Sequence, residues 1–482
     1  MFRRSTALRR SLVPFVALGT LLAGSALLTS SGAVTAPDLR PKAGTSGIGD
    51  AYFPLDGNHG IDVRRYSVHD RYDFRRGRLS GWTRLKIRAT EDLREFNLDL
   101  LLDVSRVTVD GERARFRTPG RHELRVTPDA ALDAGETFTV VVRYTGLPDR
   151  LKYLGERNWL ADRREVVTMN EPHMAPWWFP ANDHPLDKAV HDFHITVPRG
   201  KRVVTNGLPA GKRVRGDLVT WQWSATDPMV PYLAFFAAGD FAVARGRRDG
   251  LPWLVAASER LPGNGEKVAL RWLKKSPGVT SWLESELGDY PFESTGGLVT
   301  SLSPGFALEN QTRPTYPFVG GGTTWLLVHE LAHQWFGDSV SVKGWRDIWL
   351  NEGFATYMEV RYAETHGGPS GSAWLDRAYG QYASGDSFWR LPIADPGPDR
   401  IFDGAVYDRG AMTLQALREV IGDQAFETVL RTWVERRRHG NGSTEDFRAL
   451  AKEITGRDLG AFFDVWLLAT EKPADTAANG LG

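Results

Sequence analysis

Val328-His329-Glu330-Leu331-Ala332-His333-Gln334-Trp335-Phe336-Gly337 is the most informative run in the 482-residue chain. Gly320-Gly321-Gly322 precedes it, Thr323 or Thr324 offers an N-cap and Gly337 a stop, so the pattern predicts a helix of roughly thirteen residues. Positions i and i+4 share a helix face. His329 and His333 therefore turn their ring nitrogens toward one ion, while Glu330, one position along, leans beside it toward water. With 11 His in the chain, chance produces His-Glu-x-x-His in roughly one or two such sequences per hundred.

Two imidazoles leave a catalytic zinc one protein ligand short, since it takes three protein groups and one open position. Ser339 occupies the place where a third His would complete the metzincin pattern, which excludes that arrangement. The next candidate is Glu352, in Trp349-Leu350-Asn351-Glu352-Gly353-Phe354-Ala355, nineteen positions past His333. A second helix is predicted to begin near Asn351 and stop at Gly367-Gly368. A short loop folding it back across the first delivers Glu352 as third ligand. The plainer alternative is a surface glutamate favoured by a helix N-terminus. Glu359, seven residues on, shares its face and is placed to orient a ligand His from behind.

Outward from this motif the hydrophobic period divides the chain. After about residue 260 it is 3.6: Val268–Leu287 reads as one amphipathic helix ending at Gly288, and others fall at roughly 407–421, 423–438, 444–455 and 458–469. From about residue 60 to 245 the period is two. Leu85, Ile87 and Ala89 alternate with Arg84, Lys86 and Arg88, and Val107–Val109 turns through Asp110-Gly111 and returns past Ala114 and Phe116. Phe138–Tyr144, Phe193–Val197 and Leu218–Trp223 are further strands. The expected class is α+β, multidomain: leader 1–36, linker 37–59, β domain 60–245, catalytic domain 246–470 and flexible tail 471–482. His191 and His194, on opposite faces of one strand, have no partner at ligand spacing and read as ordinary strand residues.

The first residues run from an Arg-rich head through the apolar Leu12–Leu28 to small residues ending at Ala36, the order of a secretory signal peptide cut after Ala33 or Ala36. Pro14, Gly19 and Gly24 interrupt a stretch already short for a membrane anchor. Arg9-Arg10 also allows a twin-arginine address. The expectation is a secreted, extracytoplasmic protein with no stable membrane insertion after cleavage. There are no cysteines, which excludes disulfides, thiolate metal sites and a cysteine nucleophile. Charge is balanced at 60 basic against 59 acidic residues, and without Arg3, Arg4, Arg9 and Arg10 the count is 56 against 59, so no footprint for nucleic acid remains.

His-Glu-x-x-His, eighteen intervening residues and Glu352 in its Trp-Leu-Asn-Glu-Gly-Phe-Ala setting resemble the gluzincin zinc aminopeptidases related to aminopeptidase N and leukotriene hydrolase. Further family marks stand in register. Phe306-Ala307-Leu308-Glu309-Asn310 resembles the family's Gly-Ala-Met-Glu-Asn, and Tyr407-Asp408-Arg409-Gly410 its Tyr followed by a basic residue and Gly. Glu171 through Phe179-Pro180-Ala181-Asn182-Asp183 is similar to its acidic or Gln residue before Phe-Pro. Together they span about residues 60–470.

The resemblance implies an N-terminal all-β, saddle-like domain followed by a mostly helical, thermolysin-like peptidase domain, in a short form lacking the family's C-terminal helical domain. It implies one Zn2+ per chain on His329, His333 and Glu352, with Glu330 as general base and Tyr407 as oxyanion partner. Glu309 and Glu171 would receive the substrate's free N-terminal ammonium. The strand Leu298–Leu302, leading to Ala307, would pair with the substrate backbone as an edge strand. Asn310 and Glu359 would support these groups from behind. Without the family, Tyr407 reads as a half-buried helix residue. The implied function is a monomeric, secreted metallo-aminopeptidase. An endopeptidase or other hydrolase on the same metal site, and an inactive binding relative, are the alternatives.

Three departures bear on this. Phe306 and Leu308 replace the Gly and Met of the substrate motif, Arg409 keeps the charge of a family Lys, and Met174-Ala175-Pro176 stands where an Arg is usual. Trp177-Trp178 and Trp345-Arg346-Asp347 read as packed aromatics, with Asp347 capping the second helix, and Arg436-Arg437-Arg438 as a helix end.

Overall fold

Strand alternation builds the N-terminal half. In Arg78–Ala89, Leu79, Leu85, Ile87 and Ala89 are buried while Arg84, Lys86 and Arg88 face water. The computed structural model describes residues 42–318, 320 and 323–482, so the predicted leader, Gly321 and Gly322 lie outside the described residues. Arg78–Ala89 belongs to an eight-stranded sheet ordered Leu208–Arg215, Leu218–Met229, Ala189–Pro198, Ile61–Asp73, Arg78–Ala89, Thr137–Gly146, Asp103–Val109, Glu112–Arg113. The pairing of Ala189–Pro198 with Ile61–Asp73 is parallel and the other pairs are antiparallel. Asp110 and Gly111 turn the predicted hairpin with φ of 48° and 91°, the positive values a two-residue turn needs. A four-stranded sheet of Lys42–Ala43, Leu93–Asp99, Glu123–Thr127 and Arg115–Arg117 flanks it.

A further four-stranded sheet joins Trp159–Ala161, Val166–Thr168, Phe236–Gly239 and Arg202–Thr205, and the helical half rests on another, Phe241–Arg248, Leu251–Ser258, Thr295–Val299 and Thr315–Tyr316. Its helices are α1 (Gly265–Leu273), α2 (Ser276–Leu287), α3 (Thr324–Ala332), α4 (Trp349–Thr365), α5 (Gly371–Gln381), α6 (Gly404–Ile421), α7 (Asp423–Arg436), α8 (Thr444–Thr455) and α9 (Gly460–Phe463). The architecture is α+β, β-rich and then helical. Among the described residues no helix is long and apolar enough to cross a membrane.

Several expectations are corrected. The single helix over 268–287 is two, α1 and α2, because Pro277 opens α2 and cannot continue a helix from before it. Helix α3 ends at Ala332, not near Phe336, with His333 as its C-cap. Residue 245 falls inside the strand Phe241–Arg248, which pairs with Leu251–Ser258, so the change of sheet comes before Phe241. Residues 42–59 are not a free linker: the Gly44 N–H donates to the Glu95 carbonyl at 2.9 Å, and Asp56 and Asn58 are buried. The tail is packed as well. Leu481 is 3% exposed and the Asn479 carbonyl accepts from Trp466 Nε1 at 3.1 Å. Leu298–Val299 is an interior strand, paired with Ala256–Ala257 on one side and Thr315–Tyr316 on the other, so it offers no edge.

Asp347 does not cap α4. It accepts from Thr444 N and Oγ1, at 3.0 and 2.7 Å, where α8 begins. Trp177, Trp178 and Trp345 are buried in the core. His191 stacks on Tyr66 and His194 on His69, which is strand packing.

Candidate active site

α3 carries His329 and Glu330, and one turn on His333 closes it, their imidazole centroids 4.8 Å apart. α4 crosses in front. Glu352 Oε2 lies 3.4 Å from His329 Nε2 and 3.5 Å from His333 Nε2. Each ring is held from behind: His329 Nδ1 donates to Glu359 Oε1 at 2.7 Å and His333 Nδ1 to the Phe336 carbonyl at 3.0 Å. Carboxylate and carbonyl only accept, so in the neutral rings each Nε2 presents a lone pair. Three acceptor atoms thus face one another. Legs of about 2.0–2.2 Å to a tetrahedral zinc set its ligands roughly 3.4 Å apart, the spacing seen here. The donor set therefore fits a zinc-type cation.

Local sequence explains the crossing. A Cβ on Gly353 would stand 2.8 Å from the Gly410 Cα, so α4 and α6 meet backbone to backbone. Glu352 directly precedes one of these glycines and Tyr407 lies three residues before the other, so one contact sets both. Gly337, at φ 125°, turns the chain after His333, where a Cβ would stand 3.3 Å from the Asn351 side chain.

Electrostatics sort the acidic groups. Burial pushes Glu352 up, but His333 and the hydrogen bond with His329 outweigh it and hold the carboxyl at about 2. Burial pushes Glu330 up to about 8, against the pull of His329 and His333. A cation held by the three ligands would pull Glu330 down again, toward the range in which a general base works best. The Tyr407 ring lies 18° from parallel with His329, centroids 6.0 Å apart. Burial, then the charge of Glu352, raises its hydroxyl well above the ordinary tyrosine value, so it remains a donor.

Glu171 and Glu309 open into the same cavity, of about 620 Å3, that exposes His329, Glu330, His333, Glu352 and Tyr407. Glu309 is 3% exposed and accepts from the Tyr232 hydroxyl at 2.9 Å. Glu171 Oε1 is buried without a hydrogen-bond partner among the described residues. Burial and the neighbouring Glu309 raise Glu171 well above the usual carboxylate range, as a missing counter-cation would. Leu308 exchanges both backbone hydrogen bonds with Thr315, at 2.9 and 2.7 Å, which turns the N–H and C=O of Ala307 to the free side of that edge.

Asn310 acts on the amine side of the site: its Nδ2 donates to the Leu233 carbonyl at 3.0 Å, fixing the segment that carries Tyr232. Arg409 keeps its charge away from the cavity, donating to the carbonyls of Trp389, Leu391, Val465 and Ala469 at 2.8–3.0 Å. Tyr232 and Gln334 were not singled out from sequence. Gln334 Nε2 donates to the Glu309 carbonyl at 2.9 Å and its Oε1 accepts from Thr312 N at 2.7 Å, tying the 306–310 segment to the metal helix. An amide between His333 and the apolar Trp335-Phe336 is the only sequence signal for it.

Residues 65–233 match the Peptidase M1 N-terminal domain and residues 322–466 the Peptidase family M1 domain. A crystal structure of an M1 zinc metallopeptidase variant from Deinococcus radiodurans, bound to a Tyr-Ser-Ala substrate, is 30% identical with a TM-score of 0.79, covering 89% of this chain and 99% of that one. The chain belongs to peptidase family M1. Probable aminopeptidase 1 of Sulfurisphaera tokodaii is 24% identical over 86% of this chain and 54% of its own length. Aminopeptidase N of Streptomyces lividans is 27% identical over 72% and 41%. The chain thus spans about half the length of these M1 relatives.

Proposed function

We propose that this M1 chain is a zinc-dependent aminopeptidase that removes the N-terminal residue of peptides. The observation that carries this reading is the pair of carboxylates, Glu171 and Glu309, in the cavity of the metal ligands, where among the described residues no Lys or Arg ion-pairs with either. Two carboxylates facing an ammonium form charge-assisted bonds and fix the peptide's register. The names of the M1 relatives, and the peptide bound by the Deinococcus radiodurans structure, support the substrate class.

His329, His333 and Glu352 hold the zinc, with Glu359 orienting His329. A zinc ion there supplies Lewis acidity, which acidifies water and polarises a carbonyl. Glu330 takes the proton of the attacking water and returns it to the leaving amine. Tyr407 donates its hydroxyl to the oxygen on which charge develops. Ala307 pairs its outward backbone groups with the substrate strand, and Glu309 and Glu171 hold the amine end.

Aminoacyl and N-acetylated aminoacyl chromogenic amides, assayed with and without chelator, test this. Hydrolysis is expected for the free amines alone, abolished by chelation and by Glu330→Gln. Equal rates on both substrate classes would indicate an endopeptidase-like site and remove the role of Glu171 and Glu309. We further propose that the chain is monomeric and exported, the export supported by the leader pattern over residues 1–36. Protein recovered from the medium should begin at Val34 or Pro37 and scatter light as one chain.

A further inference from the structure

A second cluster of histidine and carboxylates lies in the β half, away from the catalytic cavity. Strands Leu93–Asp99 and Glu123–Thr127 pair antiparallel, with Asp99 directly opposite Glu123. Like charges so placed repel, and here burial removes the water that would screen them: Asp99 is 0% exposed, Glu123 6% and the adjacent His122 2%. Among the described residues no Lys or Arg ion-pairs with either carboxylate; their one charged partner is His122.

His122 does not resolve the conflict by hydrogen bonding. Its Nδ1 lies 3.6 Å from Asp99 Oδ1 and 3.7 Å from Glu123 Oε1, beyond hydrogen-bond length. Both ring nitrogens and both Glu123 oxygens are buried without a hydrogen-bond partner among the described residues. Tyr153 stacks on the ring at 4.5 Å and 2°, fixing its plane. Asp183, 4% exposed, adds an unpartnered Oδ2 while its N–H donates to Asp99 Oδ2 at 2.7 Å. Donor atoms of Asp99, His122 and Glu123 lie within 4.8 Å of one another, the same bound that holds for His329, His333 and Glu352.

We propose that Asp99, His122 and Glu123 bind a second divalent cation, of the zinc class, as a structural clamp. One imidazole with two carboxylates is a donor set for zinc rather than for calcium or magnesium, which take oxygen ligands alone. All three side chains are buried, so the site is shut off from substrate and serves the fold. Asp99 exchanges backbone hydrogen bonds with Ala181, at 2.8 and 3.1 Å. The ion would thus lock the ends of the two central strands of the flanking sheet to the Phe179–Asp183 segment.

Full-length protein, stripped with chelator, is titrated with Zn2+ alone and the retained ions are counted by elemental mass spectrometry after gel filtration. The wild type should retain two per chain and His329→Ala/His333→Ala one. His122→Ala should also retain one, and its melting temperature should no longer rise when Zn2+ is added to the catalytic-site double variant carrying it. The double variant leaves the β half intact, so the test does not depend on how His122→Ala folds. Saturation of the wild type at one ion, no ion in the double variant, or two ions in His122→Ala overturns the proposal.

Discussion

The two histidine–carboxylate clusters use the same residue types and differ in what stands behind and in front of them. At the catalytic cluster each ring's second nitrogen is hydrogen-bonded, to Glu359 and to the Phe336 carbonyl, and the front opens into a cavity. In the β half neither nitrogen of His122 has a partner among the described residues, and Tyr153 covers the ring face. Chemistry requires ligands aimed by a supporting shell and a side left open for substrate, whereas a structural site is closed. The contrast makes the supporting residues around His329, more than the ligands, the mark of a reaction site.

The sharpest way to break this contrast is Tyr407→Phe, whose ring lies beside His329 in the open cavity. Its hydroxyl is assigned to the transition state, so kcat should fall about 10²–10³-fold, with KM nearly unchanged and zinc retained. A change confined to KM would mean that Tyr407 only binds substrate. Glu359→Ala removes the tether of His329 and makes the catalytic cluster resemble the other one. Zinc affinity should drop about 10–100-fold, measured by competition with a chromophoric chelator, while the zinc-saturated variant keeps much of its kcat. An unchanged affinity would show that the supporting shell does not distinguish the two clusters.

Tyr232→Phe probes the tether on the amine side. Losing one hydrogen bond to Glu309 should raise KM for free-amine amides by about tenfold, with kcat changed less. A similar loss on N-acetylated substrates would place Tyr232 in general packing instead.

How much of this was legible in the sequence follows from range. His329 and His333 are set by helical spacing and the strands by alternation, both local, and Glu352 by its place at a helix start. Glycines 353 and 410 carry the α4–α6 contact, yet nothing local says that they touch. Tyr232 meets Glu309 77 positions away, and Tyr379 holds the Pro473 carbonyl from 94 positions away, which is why the amine-side tether and the packing of the tail were missed. The break between α1 and α2 was legible in Pro277 and was overridden by a continuous apolar period. The Asp99–Glu123 opposition depends on strand register, which the separate strands do not reveal.

The smallest expected effect concerns the frame that holds the catalytic cluster. On α4, Arg361 pairs with Glu364 at 2.6 Å, and Arg418 of α6 reaches the same Glu364 oxygen at 2.8 Å. This clamp joins the helix of Glu352 to that of Tyr407, at the end away from the ligands. Partial burial raises the Glu364 carboxyl, but the Gly371 N–H, Arg418 and Arg361 outweigh it and hold it at about 2. A carboxyl depressed in the folded state contributes stability above its unfolded value near 4.5 and loses it as pH falls toward 2. The melting temperature of the zinc-free protein should therefore fall between pH 5 and pH 3, and Glu364→Gln should flatten that fall by a degree or two, the ion pairs being partly solvated. An identical slope in the variant would mean that α4 and α6 are held by the glycine contact alone, and that acid acts on the molecule elsewhere.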